Sequence, residues 1–315
     1  VVAGAVFGIY NKEDITADGK VIVEADTLLQ EMTSDEKGQA GCTLDLPLGS
    51  YYVKELKAPA GFVSSNEVLN FDAFYQGQDV ETVVLKAVKE NQPTTVEITK
   101  SDITTGTELD GASLKVLDKD GNVVDEWTSV KDAPHVIKRL VAGETYTLRE
   151  EFAPYGYLKA TDITFTVEDN GDVQKVEMKD EVPTGLLIIN KKGEFLDKVT
   201  LLDNAKGTVE HLFEYITGSL TEVTFNVYAA EDIKAADGVS EDYFKADELV
   251  GTITTDTNGI AQLGDLPVGK YYVKEAETAH GYVLDREPRY VDLSYRDQDT
   301  PVVTYDEAWQ NNRQK

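Results

Sequence analysis

The chain has 315 residues, 41% of them hydrophobic and 28% charged, and carries a formal net charge of −28. That length suits two or three folded domains, and so negative a surface repels phosphate, which excludes nucleic acid and an anionic membrane as expected partners. Its single cysteine, Cys42, leaves no intrachain disulfide, and no run of ~20 apolar residues is available to span a membrane.

The first residues, Val1-Val-Ala-Gly-Ala5, lack the basic region and long apolar core of a signal peptide, and no sorting signal closes the chain. The sequence therefore reads as an internal fragment. An alternating strand follows, Val2-Ala-Gly-Ala5-Val-Phe7-Gly-Ile9-Tyr10. Cys42, next to Gly41 in a strand-like stretch, is expected to be a small core residue. The next strong strand is Gly49-Ser-Tyr51-Tyr-Val53-Lys-Glu55, ending in a turn through Gly61-Phe62.

Both phrases recur. The opening strand returns as Leu109-Asp-Gly-Ala112-Ser-Leu114-Lys-Val116 and as Leu220-Thr-Glu-Val223-Thr-Phe225-Asn-Val227-Tyr228. The second returns as Gly143-Glu-Thr-Tyr146-Thr-Leu148-Arg-Glu150 and as Gly269-Lys-Tyr271-Tyr-Val273-Lys-Glu275. Self-similarity of this kind means three copies of one unit. The proline-bearing segments around Pro93 and Pro183 divide them into 1–93, 94–182 and 183–315. Linkers this short predict an end-to-end, semi-rigid rod. Many short alternating strands separated by Gly, Asn and Asp turns predict an all-β fold of tandem Ig-like or prealbumin-like sandwiches.

The third unit carries an insertion at about 193–219. Within it Val209, Leu212, Phe213 and Ile216 fall at i, i+3, i+4, i+7, which predicts a short amphipathic helix capping the sandwich.

In the Tyr-x-(Val/Leu)-x-Glu phrase the period of two points each glutamate inward with its apolar neighbours. Interior carboxylates are costly. In the middle unit the same phasing places Lys100 with Ile98, and Asp180 with Val176 and Met178, so Lys100, Glu150 and Asp180 are all expected to face one interior. Two outcomes settle such a trio. One is a buried salt bridge, of little net stability. The other is an amide, because desolvation leaves the lysine a neutral nucleophile and keeps a carboxyl protonated to shuttle protons. Spacing alone favours the salt bridge.

The middle unit resembles the CnaB (SpaA-like, collagen-binding surface protein B-type) domains of Gram-positive adhesins and pilins. The resemblance rests on Ile98-Thr-Lys100-Ser-Asp102, Leu109-Asp-Gly-Ala112, Trp127-Thr-Ser129, Tyr146-Thr-Leu148-Arg-Glu150, Ala153-Pro-Tyr-Gly-Tyr157 and Val176-Glu-Met-Lys-Asp180. It implies an autocatalytic isopeptide bond between Lys100 and Asp180 with Glu150 as catalyst, and it reverses the weighting.

The third unit looks like a related domain, which implies Lys191 as amine and Glu275 as shuttle. Asn311 and Asn312 are both candidate acceptors. Asn311 is chosen because it follows Glu275 by the same separation that Asn91 follows Glu55. The first unit has Glu55 and Asn91 but no first-strand lysine within the sequence, so no bond is expected there. Its amine would come from upstream.

The reading is thus a structural stalk of a cell-wall-anchored surface adhesin or pilin-like protein, extracellular, with anchoring beyond this fragment. It is not an enzyme, needs no cofactor, and meets host matrix protein or polysaccharide through other regions. The alternatives are a module that itself binds host protein or polysaccharide, or a non-catalytic appendage of a secreted enzyme. His135, His211 and His280 are scattered, so no metal site is expected. Asp118-Lys-Asp-Gly-Asn reads as a turn. Trp127 and Trp309 read as packing residues in preference to a carbohydrate platform.

Overall fold

The computed structural model describes residues 1–203 and 207–315. It is all β, with no helix among the described residues. The first repeat holds β1 (Val6–Asn11), β2 (Ile15–Ala17), β3 (Lys20–Val23), β4 (Leu28–Thr33), β5 (Gly49–Lys57) and β6 (Val68–Ala73). The middle repeat holds β7 (Thr95–Asp102), β8 (Ser113–Leu117), β9 (Val123–Thr128), β10 (His135–Lys138), β11 (Thr145–Phe152), β12 (Ile163–Thr166) and β13 (Val173–Asp180). In the third are β14 (Thr184–Asp203), β15 (Val209–Ser219), β16 (Thr224–Ala229), β17 (Leu249–Thr254), β18 (Ile260–Pro267), β19 (Gly269–Glu277), β20 (Arg289–Leu293) and β21 (Val302–Asn311).

Each repeat builds the same four-stranded sheet: β4-β1-β5-β6, β9-β8-β11-β12 and β17-β16-β19-β20. The correspondence reaches single residues. Phe7 lies opposite Glu55 and Phe225 opposite Glu275, each just after a register slip. A second sheet, β10-β7-β13 in the middle repeat and β15-β14-β18 with β21 beside β14 in the third, supplies the other layer. In the first repeat the described residues offer only the β2-β3 ribbon besides the main sheet.

The chain packs as two compact units. One comprises Val1–Lys100, Leu114–Arg149 and Asp162–Met178. The other comprises Ser101–Ser113, Glu150–Thr161 and Lys179–Lys315. In the second unit Leu187, Ile189, Phe225, Val227, Tyr271, Val273, Leu293 and Trp309 form one buried cluster. In the first, β1 and β5 bury a smaller one of Ile9, Met32, Tyr51 and Val53.

Two expectations are overturned. The insertion is a β-ribbon, not a helix: β14 runs on past Lys192 and pairs antiparallel with β15, setting Phe195 opposite Ile216 and Val199 opposite Phe213. The i, i+3, i+4, i+7 spacing is ambiguous, because on a strand it splits into Val209 with Phe213 on one face and Leu212 with Ile216 on the other. The pairing partner upstream decides between the two. Nor does the ribbon bury its apolar residues as a cap would, since Leu212, Phe213 and Ile216 are exposed.

Cys42 is exposed, not in a core. Its surroundings correspond to β18 of the third repeat, which is held by pairing to β14. Without such a partner among the described residues, the stretch before β5 forms no strand.

Candidate functional site

The site of the third repeat is assembled by three strands. β14 brings Lys191, β19 brings Glu275 and β21 ends on Asn311. β14 and β21 run parallel, with Lys191 in register with Trp309 and Gly193 with Asn311. The backbone of Lys191 is fixed on both sides: its N–H donates to Gly259 O at 2.7 Å, and its carbonyl accepts from Leu220 N at 2.9 Å. Gly193 leaves room for the Tyr282 ring, which a Cβ there would meet at 2.5 Å. The Tyr282 hydroxyl donates to Glu194 O at 2.9 Å. The Gly281-Tyr282 turn that ends the repeated phrase thus packs against the strand carrying the lysine.

Lys191 Nζ stands 2.8 Å from Glu275 Oε2, and both side chains are 2% exposed or less. Asn311 Nδ2 donates to Glu275 Oε1 at 2.6 Å and to Thr278 Oγ1 at 2.8 Å. One carboxylate therefore touches both the amine and the amide. Asn311 is buried and its Oδ1 meets no donor among the described residues, whereas Asn312 is exposed. Aromatic rings flank the site on one side. The Phe225 ring lies 5.4 Å from Nζ, and Trp309, 2% exposed, meets Phe225 edge-on with centroids 5.7 Å apart.

Burial pushes the Lys191 amine below its ordinary value, against the opposing pull of Glu275 and Asp285, while the Arg289 charge adds to the lowering. Burial pushes Asp285 up, but the Arg289 guanidinium 2.9 Å away, the Glu287 N–H and the Lys191 charge together hold it below the usual carboxylate range. Arg289 also lies over the Trp309 ring at 5.0 Å.

The first repeat contains half of this arrangement. Asn91 Nδ2 donates to Glu55 Oε1 at 2.6 Å, but Glu55 Oε2 accepts the Ser65 backbone N–H at 3.1 Å instead of facing an amine. Both residues are only half-buried.

In the middle repeat Lys100 lies on β7 and is 4% exposed. Glu150 on β11 and Asp180 at the end of β13 are each 0% exposed. Strands β7 and β13 are neighbours in their sheet. Glu150 Oε2 accepts the Ala160 N–H at 2.7 Å, and Asp180 O accepts the Ile103 N–H at 2.9 Å.

Residues 1–88, 94–182 and 215–308 each match the family model of the SpaA prealbumin-like fold domain. The chain belongs to this family. A search of curated proteins finds no match. Among solved structures, the chain is similar to the Bacillus anthracis TIE protein at 25% identity and a TM-score of 0.50, over 99% of this chain and 48% of that one. The chain thus spans about half the length of that relative. It also matches BcpA, the major pilin subunit of Bacillus cereus, at 16% identity and a TM-score of 0.42, over 100% and 96% of the two chains. The shaft pilin spaA of Lactobacillus rhamnosus GG matches at 14% identity and a TM-score of 0.26, over 70% and 98%.

The other residues weighed from sequence are placed as follows. Trp309 is in the core, and Trp127 is half-buried, stacked on His135 with centroids 4.0 Å apart. Asp118 Oδ1 accepts the N–H groups of Asp120 and Asn122 at 2.9 Å each, which closes a turn. Three residues around the third site, Thr278, Asp285 and Arg289, have no motif to mark them. The only hint is that Thr278 stands where the other repeats have Ala58 and Ala153.

Proposed function

We propose that this chain is an extracellular stalk segment of a cell-wall-anchored surface adhesin or pilin-like protein of a Gram-positive bacterium. Its three repeats act as domains 1–93, 94–182 and 183–315, and two of them are closed by isopeptide bonds. The observation that carries the reading is the buried Lys191–Glu275–Asn311 arrangement. A charged amine there is opposed by burial, and a proton-shuttling carboxylate spans amine and amide at 2.8 and 2.6 Å.

The reaction follows from that contact. Glu275 takes a proton from the Lys191 ammonium, and the neutral Nζ attacks Asn311 Cγ. The carboxyl passes that proton to Nδ2, which leaves as ammonia as the Cγ–Nδ2 bond breaks, and takes the second proton from Nζ, so the neutral Nζ–Cγ amide remains beside a protonated Glu275. Holding the groups together supplies the effective molarity that makes an amine–amide exchange feasible. In the middle repeat Lys100 would attack Asp180 with Glu150 as shuttle, and water would leave. The burial of all three residues supports this second bond. The first repeat, with Glu55 and Asn91 and no amine, forms none within this chain. Each closure happens once and turns over no external substrate. Tension would then pass through covalent links between first and last strands.

Intact-mass measurement of the native chain tests this reading. The expected deficit is ~35 Da, from ~17 Da of ammonia and ~18 Da of water lost on condensation. A native mass equal to that of the sequence would leave only buried ion pairs.

A further inference from the structure

The acceptor amide of the third repeat is held from two sides, and the second side lies outside the Lys–Glu–Asn arrangement. Asn311 Nδ2 has two protons. One goes to Glu275 Oε1 at 2.6 Å, the other to Thr278 Oγ1 at 2.8 Å. We infer that Thr278 is a positioning residue for the closure reaction, one that seats the Asn311 amide nitrogen as the leaving group. The inference rests on the isopeptide reading above.

A primary amide can rotate about its last single bond. With Thr278 Oγ1 and Glu275 Oε1 both accepting from Nδ2, the amide plane is fixed with nitrogen toward the proton shuttle and Oδ1 turned away from it. That orientation matters twice. During attack it keeps one face of Cγ presented while Glu275 is occupied with the Lys191 proton. During collapse, Glu275 changes from acceptor to donor toward Nδ2, so the N–H···O contact that oriented the amide is replaced. Thr278 goes on accepting from Nδ2 through that exchange, and ammonia departs as the carboxyl proton arrives. Bonds and protons balance: Nζ–Cγ forms, Cγ–Nδ2 breaks, one lysine proton ends on ammonia and a second on the Glu275 carboxyl.

The repeats supply an internal comparison. The middle repeat has Ala153 at the corresponding position and an aspartate acceptor, Asp180, whose leaving group is water and which has no N–H to seat. The first repeat has Ala58 there, and Asn91 is held by Glu55 Oε1.

The test is a time course of closure in the full chain. The chain is made as a short pulse in a cell-free system, quenched in denaturant, and the Lys191–Asn311 cross-linked peptide is quantified by mass. Thr278→Val keeps the shape but cannot accept a hydrogen bond, and should slow closure roughly tenfold, the size expected for one lost positioning contact. Thr278→Ser should restore it. The decisive arm is the Asn311→Asp background, where the acceptor carries no N–H. There Thr278→Val should leave the rate of water-releasing closure unchanged, whereas a merely structural role would slow both backgrounds alike. Equal slowing in both backgrounds, or wild-type closure with Thr278→Val, overturns the role of Thr278 and leaves the isopeptide reading intact. Absence of any Lys191–Asn311 cross-link in the unmodified chain overturns that reading itself.

Discussion

The first and third repeats share a main sheet, down to the register slip before Phe7 and Phe225. They share the stacked pairs Tyr10–Tyr52 and Tyr228–Tyr272 at 5.0 and 5.1 Å, and an asparagine 2.6 Å from the inward glutamate. They differ in what completes the glutamate. Glu275 meets Lys191 in a buried interior, whereas Glu55 turns its second oxygen to a backbone N–H and stays half-buried. Glutamate and asparagine thus come together without the lysine-bearing strand. What that strand adds is an amine and the second sheet that buries it. The comparison separates proximity, which both repeats have, from desolvation, which only the third achieves in full.

The hardest way to break this contrast is to remove the shuttle. Glu275→Gln should abolish the Lys191–Asn311 cross-link and reduce the native mass deficit to the ~18 Da of the middle repeat; Glu150→Ala should do the converse. A chain of either variant that still shows both losses would refute the roles given to these carboxylates. Next in size is stability. Asn311→Ala should remove the proposed closure of a loop of ~120 residues, worth roughly 4–5 kcal/mol by chain entropy. Asn91→Ala removes only a half-exposed hydrogen bond, about 1 kcal/mol or less. Chemical denaturation of the two variants side by side measures the difference, and equal losses would erase the distinction between the repeats.

A smaller effect concerns pH. In Asn311→Ala the amine of Lys191 persists, and burial keeps its folded value below 10.5. Between that lowered value and 10.5 the unfolded chain binds more protons than the folded one. Stability of this variant should therefore rise with pH across that window and be insensitive to Lys191 below it. By the same logic, closure of the native chain should speed up as pH rises, with a midpoint below that of a free lysine. A pulse-synthesis series at several pH values reads the midpoint. The mildest test uses Cys42, which should react with a thiol reagent in the folded chain nearly as fast as in denaturant, because the first repeat leaves it exposed. Strong protection would mean that this part of the first repeat is covered.

Much of this was legible from the residues. The Tyr-x-(Val/Leu)-x-Glu phrase has the period of a strand with one buried face, and Tyr271, Val273 and Glu275 do share the interior. The third-repeat ribbon is ambiguous in sequence, because Val209, Leu212, Phe213 and Ile216 satisfy two periodicities at once. Strand pairing, a long-range property, decides between them. Cys42 differs from expectation for a related reason: local alternation cannot show that a strand lacks a partner. Thr278 was invisible because its importance lies in a contact with Asn311 across the fold.

The parallel ladder between β14 and β21, from Thr184 beside Val302 to Gly193 beside Asn311, has a mechanical corollary. Pulling on the start of one strand and the end of the other slides them along their length, so every rung is strained together and none is unzipped in turn. Lys191 and Asn311 sit near the far end of that ladder. The proposed weld there would take up the sliding before the rungs part, and the polypeptide looped between the two residues would remain slack.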